Sequence, residues 1–100
     1  MRRGEVWTYE PVIPRPGVSI KRLIVSSDAI NDADIPWVLG VHLLDRDPNS
    51  ILAPPIGPHW AVVVSVERVI RTRLSERVDL ATADEMAQVD IALKACLDLD

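Results

Sequence analysis

The apolar positions of this chain fall in short runs broken by prolines, glycines and acid-rich turns, and change period near residue 80. Val6-Trp7-Thr8-Tyr9 follows Gly4 and predicts a first strand. Pro11, Pro14, Pro16 and Gly17 make residues 11–18 a loop, because proline fixes φ and removes a ladder donor. Residues 21–26 predict a second strand, polar at its ends and buried at its centre. Residues 28–36 (with Asn31, Asp32, Asp34 and Pro36) read as a polar connection with room for one helical turn. Residues 37–44 predict a third strand. Asp45-Arg46-Asp47-Pro48-Asn49-Ser50 is dense in turn formers and predicts a hairpin into a strand at 50–53. Residues 54–58, with three prolines and Gly57, predict loop. Residues 60–66 are the most β-like segment, and 69–74 predict one more short strand.

The end of the chain differs in kind. Thr82 and Glu85 have capping-box spacing. Met86, Val89, Leu93, Cys96 and Leu97 then recur on one helical face, predicting a helix over 83–97. Five or six strands this short make a core only if the sheet closes or bends strongly. The expectation is a mainly β (α+β) chain, a small barrel with a helix packed across it.

Composition narrows this picture. One hundred residues fit a single domain over 1–100, and 48% hydrophobic content is that of a globular chain. Phe is absent and Trp supplies three of the four aromatics, so the core is aliphatic. Cys96 stands alone, which excludes an internal disulfide, and no Cys/His spacing suits zinc. No apolar run approaches a membrane span and no signal-like core follows Met1-Arg2-Arg3, so a cytoplasmic protein is expected. No phosphate-loop or dinucleotide motif is present, and no cofactor is expected.

The net charge of −4 argues at first against a nucleic-acid partner. Its location removes the objection. Residues 81–100 hold Lys94 against Asp84, Glu85, Asp90, Asp98 and Asp100, whereas the first eighty are balanced, with basic clusters at 15–22 and 68–77. Acids in the first helical turn also complement the helix dipole.

Met1-Arg2-Arg3-Gly4-Glu5-Val6-Trp7 resembles the opening of the MazF/PemK/Kid toxins of type II toxin–antitoxin systems. The likeness continues in order: a Pro/Gly loop leading to Arg22, a strand ending Val25-Ser26-Ser27-Asp28 with Asn31 beyond it, Val69-Ile70-Arg71-Thr72-Arg73-Leu74, and the closing helix from Asp84 to Leu93. This resemblance implies a small SH3-like or CcdB-like barrel of about five to seven strands that forms a homodimer. It also implies a metal-independent endoribonuclease that cleaves single-stranded RNA and is silenced by an antitoxin peptide.

Such cleavage needs no metal if the ribose 2′-hydroxyl is the nucleophile. It needs a base for that proton, an acid for the leaving 5′-oxygen, and a cation on the phosphorane. The family's Arg-Pro pair reads Lys21-Arg22-Leu23 here, and its Thr or Ser position falls in His42-Leu43-Leu44-Asp45. The resemblance therefore assigns Arg22 to the phosphate and leaves His42 or Asp45 to replace the missing hydroxyl. Of the two, an imidazole has the intrinsic titration better suited to a base. Arg15, Lys21, Arg22, Ser26, Arg71 and Arg73 are the candidate RNA contacts. Trp37 and Trp60 can either stack on bases or pack, since each begins an apolar run. The competing function is a weak or inactive binding module of the same barrel class, acting through a protein partner such as an antitoxin or gyrase.

Overall fold

The computed structural model describes residues 1–10, 13 and 20–98. The predicted loop at 11–18, and Arg15 with it, lies outside the described residues apart from Ile13. The chain runs β1 (Glu5–Tyr9), β2 (Lys21–Ile24), α1 (Asp28–Asn31), β3 (Trp37–Leu44), β4 (Pro55–Ile56), β5 (His59–Ile70), a 3-10 turn (Arg71–Arg73), β6 (Leu74–Leu80) and α2 (Ala83–Leu97). The strands form one curled antiparallel sheet, a half-barrel in the order β4-β5-β3-β2-β1-β6.

Alternation divides the core between the two faces of this sheet. Val6, Leu23, Val41, Leu43, Ala61 and Val63 point to one face, where Met86, Val89 and Ala92 of α2 cover them. Ile24, Val38 and Val69 point to the other, where the curl brings Tyr9 and Leu74 over them. α2 has the predicted bounds. Thr82 Oγ1 accepts from Glu85 N–H at 3.1 Å and Glu85 Oε1 accepts from Thr82 N–H at 2.9 Å, completing the capping box. Of its predicted apolar face, Leu93 and Cys96 are partly buried against the core, while Leu97 is exposed.

Three predicted elements change. Residues 50–53 form a turn rather than a strand, and β4 falls within the predicted loop, pairing Pro55 with Trp60 and Ile56 with His59. An edge strand tolerates Pro55, and Gly57 (φ +54°) makes the reversal. Residues 69–73 are the end of β5 and a 3-10 turn, and the last strand, β6, begins at Leu74. β6 is exposed after Leu74, so it carries no alternating apolar signal. Its pairing with β1 defines it.

Glu5 ties β1 to its surroundings. Its carboxylate is buried and accepts from Arg2 N–H (2.9 Å), the Trp7 indole (3.1 Å) and Arg77 Nη1 (3.3 Å). Burial alone raises its pKa, but these hydrogen bonds outweigh it and hold the carboxyl below the usual glutamate range. A depressed folded-state value stabilises the fold above the unfolded value, and the benefit is lost as pH falls. Glu5→Gln is expected to cost about 1–3 kcal/mol near neutrality and to flatten the loss of stability below about pH 4.3. Urea unfolding across that range checks it.

Candidate active site

β2 carries Lys21 and Arg22 on opposite faces. Arg22 stands on the face away from α2, in a row with Trp7 of β1 and His42 of β3. Its side chain is 5% exposed, with the guanidinium carbon 5.0 Å from the centre of the Tyr9 ring. Arg22 Nε donates to Glu67 Oε1 at 3.1 Å, and Nη1 donates to the Lys21 carbonyl at 3.0 Å. The same Glu67 oxygen lies 3.2 Å from His42 Nε2. One carboxylate oxygen therefore bridges a guanidinium and an imidazole, and Glu67 and His42 remain 42% and 33% exposed.

Glu67 is missing from the sequence-based candidates, and register explains why. Regular alternation from Ala61 and Val63 would turn Glu67 toward α2. Two residues of β3, from His42 to Gly40, instead step across five of β5, from Val62 to Glu67. An odd excess flips the face, so Glu67 joins Arg22. Ser65 holds this irregularity: its hydroxyl accepts from His42 N–H at 2.8 Å and donates to the Val62 carbonyl at 2.6 Å. Gly40 allows the close approach, since a Cβ there would lie 2.9 Å from Val69 Cγ2 and 3.5 Å from Arg22 Cβ.

Arg73 extends the cationic side of the cluster. Its guanidinium carbon lies 4.3 Å from the Tyr9 ring centre, and its Nε donates to the Glu10 carbonyl at 2.7 Å. Tyr9 thus carries two arginines on one buried ring. Cation–π contact and a backbone hydrogen bond fix both heads, and Arg22 is in addition ion-paired with Glu67.

The other candidates lie elsewhere. Asp45 Oδ1 is 2.9 Å from His59 Nδ1, and Lys21 Nζ is 3.5 Å from His59 Nε2, so Asp45 and Lys21 share a second cluster at the end of the α2 face. Ser26 is 3% exposed, hydrogen bonded to Asn31, and accepts from Leu39 N–H at 3.2 Å, which orders the β2–β3 connection. Arg71 donates to the Ile30, Ala33 and Ile35 carbonyls. It follows Ile70, which pairs with Trp37 at the far end of β3, about 17 Å along the strand from His42. Trp37 is packed beneath Arg68, whose guanidinium carbon is 5.4 Å from the ring.

No family model matches the chain, and no curated protein sequence matches it. Solved structures do. An endoribonuclease in complex with its cognate antitoxin, from a mycobacterial species, is 22% identical with a TM-score of 0.84, covering 100% of this chain and 97% of that one. A second mycobacterial endoribonuclease is 21% identical with a TM-score of 0.82, covering 99% and 92%. The MazE–MazF complex of Deinococcus radiodurans is 18% identical with a TM-score of 0.78, covering 99% and 96%. The described residues of this chain have the MazF fold.

Proposed function

We propose that the chain is the toxin of a type II toxin–antitoxin pair, an endoribonuclease of single-stranded RNA acting as one domain over 1–100. The observation that carries this reading is the Glu67 carboxylate bridging Arg22 and His42 on the sheet face away from α2, with Glu67 and His42 open to solvent. Cleavage by an internal 2′-hydroxyl needs a cation on the phosphoryl oxygens and a proton-transfer pair on either side of the phosphorus. Arg22 is the cation, and its fork matches two phosphoryl oxygens. Glu67 takes the 2′-hydroxyl proton as the phosphorus–2′-oxygen bond forms. His42 returns a proton to the 5′-oxygen as that bond breaks, leaving a 2′,3′-cyclic phosphate and a 5′-hydroxyl. Arg73 supplies further positive charge for a neighbouring phosphate, whereas Lys21 stands on the opposite face of β2. His42 fills the role for which a hydroxyl is missing, and Asp45, bound to His59, stands outside the reaction.

The binding-only alternative is not favoured, since matched structures of this fold are endoribonucleases. An antitoxin partner is supported by the matched fold in complex with its antitoxin. A homodimer is supported by Val64, Val66 and Ile70, exposed along the part of β5 that β4 leaves unpaired. No helix among the described residues is long and apolar enough to cross a membrane. A cytoplasmic location fits a lone cysteine and an RNA substrate.

The test is incubation of the purified chain with a long single-stranded RNA in excess EDTA. Cleavage is expected in EDTA, with 2′,3′-cyclic phosphate ends. Asp45→Ala is expected to cleave within about threefold of the parent chain, whereas His42→Ala is expected to lose about 10²-fold or more. Intact RNA at every protein concentration would overturn the reading.

A further inference from the structure

Glu67 and His42 meet because of an irregularity in the sheet. Between the pairs Gly40–Glu67 and His42–Val62 lie one residue of β3, Val41, and four of β5, Val63, Val64, Ser65 and Val66. An unbroken ladder from His42–Val62 would set Val64 opposite Gly40. The surplus residues of β5 put a carboxylate there instead and leave Val64 57% exposed. Among the four, the valines have no side-chain group to satisfy the backbone that the bulge takes out of the ladder. Ser65 has one. Its hydroxyl accepts from His42 N–H at 2.8 Å and donates to the Val62 carbonyl at 2.6 Å. His42 and Val62 are ladder partners, so a single oxygen bridges the two strands at the start of the bulge.

That oxygen is tied to both halves of the proton-transfer pair. His42 hangs from the amide it holds. Glu67 lies two residues further along β5, at the other end of the bulge. Their side chains meet at 3.2 Å, Nε2 to Oε1, and the same Glu67 oxygen accepts from Arg22 Nε. Glu67 and His42 are both partly exposed, so packing does not enclose them and the placement of their backbones decides whether they meet. A misplacement of about 1 Å in such a pair costs about 10²-fold in rate.

We propose that Ser65 is a positioning residue of the ribonuclease, its hydroxyl fixing the bulge that brings Glu67 to His42 and Arg22. This rests on the ribonuclease reading above and adds a residue that acts through the proton-transfer pair rather than on the RNA. Without the hydroxyl, His42 N–H and the Val62 carbonyl lose their common partner, the surplus residues redistribute along β5, and Glu67 moves away from His42.

The test compares single-turnover cleavage with binding of a 2′-O-methyl RNA, which lacks the nucleophile. Ser65→Ala is expected to slow cleavage about 10- to 100-fold. Binding should change by less than about threefold, because Arg22 keeps the Lys21 carbonyl and the Tyr9 ring. Ser65→Thr retains the hydroxyl on a residue that strands favour, and is expected to cleave within about threefold of the parent chain. Where Ser65→Ala fails to fold by circular dichroism, Ser65→Cys takes its place, since a thiol keeps the shape and is only a weak donor and acceptor. In a Glu67→Gln background, Ser65→Ala is expected to cost less than about threefold, because the group it positions has already lost its function. The imidazole ¹⁵N resonances of His42 read the same contact without RNA. Glu67→Gln should shift them in the parent chain and leave them unmoved in Ser65→Ala. A parent chain that cleaves, with a Ser65→Ala variant that cleaves equally fast or loses the same factor with and without Glu67, overturns the positioning role alone. A parent chain that leaves RNA intact, with the ¹⁵N response as expected, overturns the ribonuclease reading and supports the hold of Ser65 on Glu67.

Discussion

Arg22→Ala is expected to lower RNA cleavage by roughly 10²–10³-fold, the usual cost of removing one preorganised charge-stabilising donor. The guanidinium is fixed before substrate arrives, by Glu67, the Lys21 carbonyl and the Tyr9 ring. No reorganisation is then needed as charge develops on the phosphorane. Arg22→Lys keeps the charge but loses the planar fork and its seat on the ring, so it should recover only part of the rate. Arg22 is also buried, and its removal leaves a void beside Tyr9. Thermal unfolding of both variants separates the two effects. A rate loss in Arg22→Lys at unchanged Tm identifies the catalytic contribution.

Much of the fold could be read from the chain because its signals are local. The capping box and the spacing from Met86 to Cys96 mark α2 at both ends. The apolar runs at 21–26, 37–44 and 60–66 mark the three strands that bury both sides of the sheet. β6 escaped for the opposite reason. Its residues after Leu74 face solvent, so hydrogen bonding to β1 rather than burial makes it a strand, and hydrogen bonding leaves no pattern of residue types. Proline density hid β4, whose short pairing closes a turn through Gly57.

The site divides in the same way. Arg22 and His42 are adjacent because β2 and β3 pair regularly. Ser26 and Arg71 have the residue types of RNA contacts, but a hydroxyl or guanidinium does not announce its partner. The structure gives Ser26 to Asn31 and Leu39, and Arg71 to three carbonyls of the β2–β3 connection. Glu67 was hidden by a change of register between two strands that the sequence does identify. A departure from alternation arises from pairing between segments far apart in the chain, so periodicity within either segment cannot reveal it.

Glu67→Gln carries the second large effect, a loss of about 10²–10⁴-fold in cleavage, the range for removing a general base. Glutamine keeps the length of the side chain and an oxygen for Arg22, so the cluster should retain its shape while losing the proton acceptor. Binding of a single-stranded RNA with 2′-O-methyl riboses, which lacks the nucleophile, is therefore expected to change by less than about threefold, because the substrate meets Arg22 in both proteins. The same variant discriminates between chemical and structural roles. If Glu67 served only to hold Arg22 in place, Glu67→Gln would cleave nearly as fast as the parent chain, and Glu67→Ala would be the damaging change. If it accepts the proton, both variants fall together. The double variant of Glu67→Gln with His42→Ala is then expected to lose much less than the product of the single losses, because the two side chains share one oxygen and act on one reaction. Single-turnover cleavage of the parent, the two single variants and the double variant closes the cycle. Strictly multiplicative losses would show that the two side chains act independently, contrary to the shared oxygen's expected coupling.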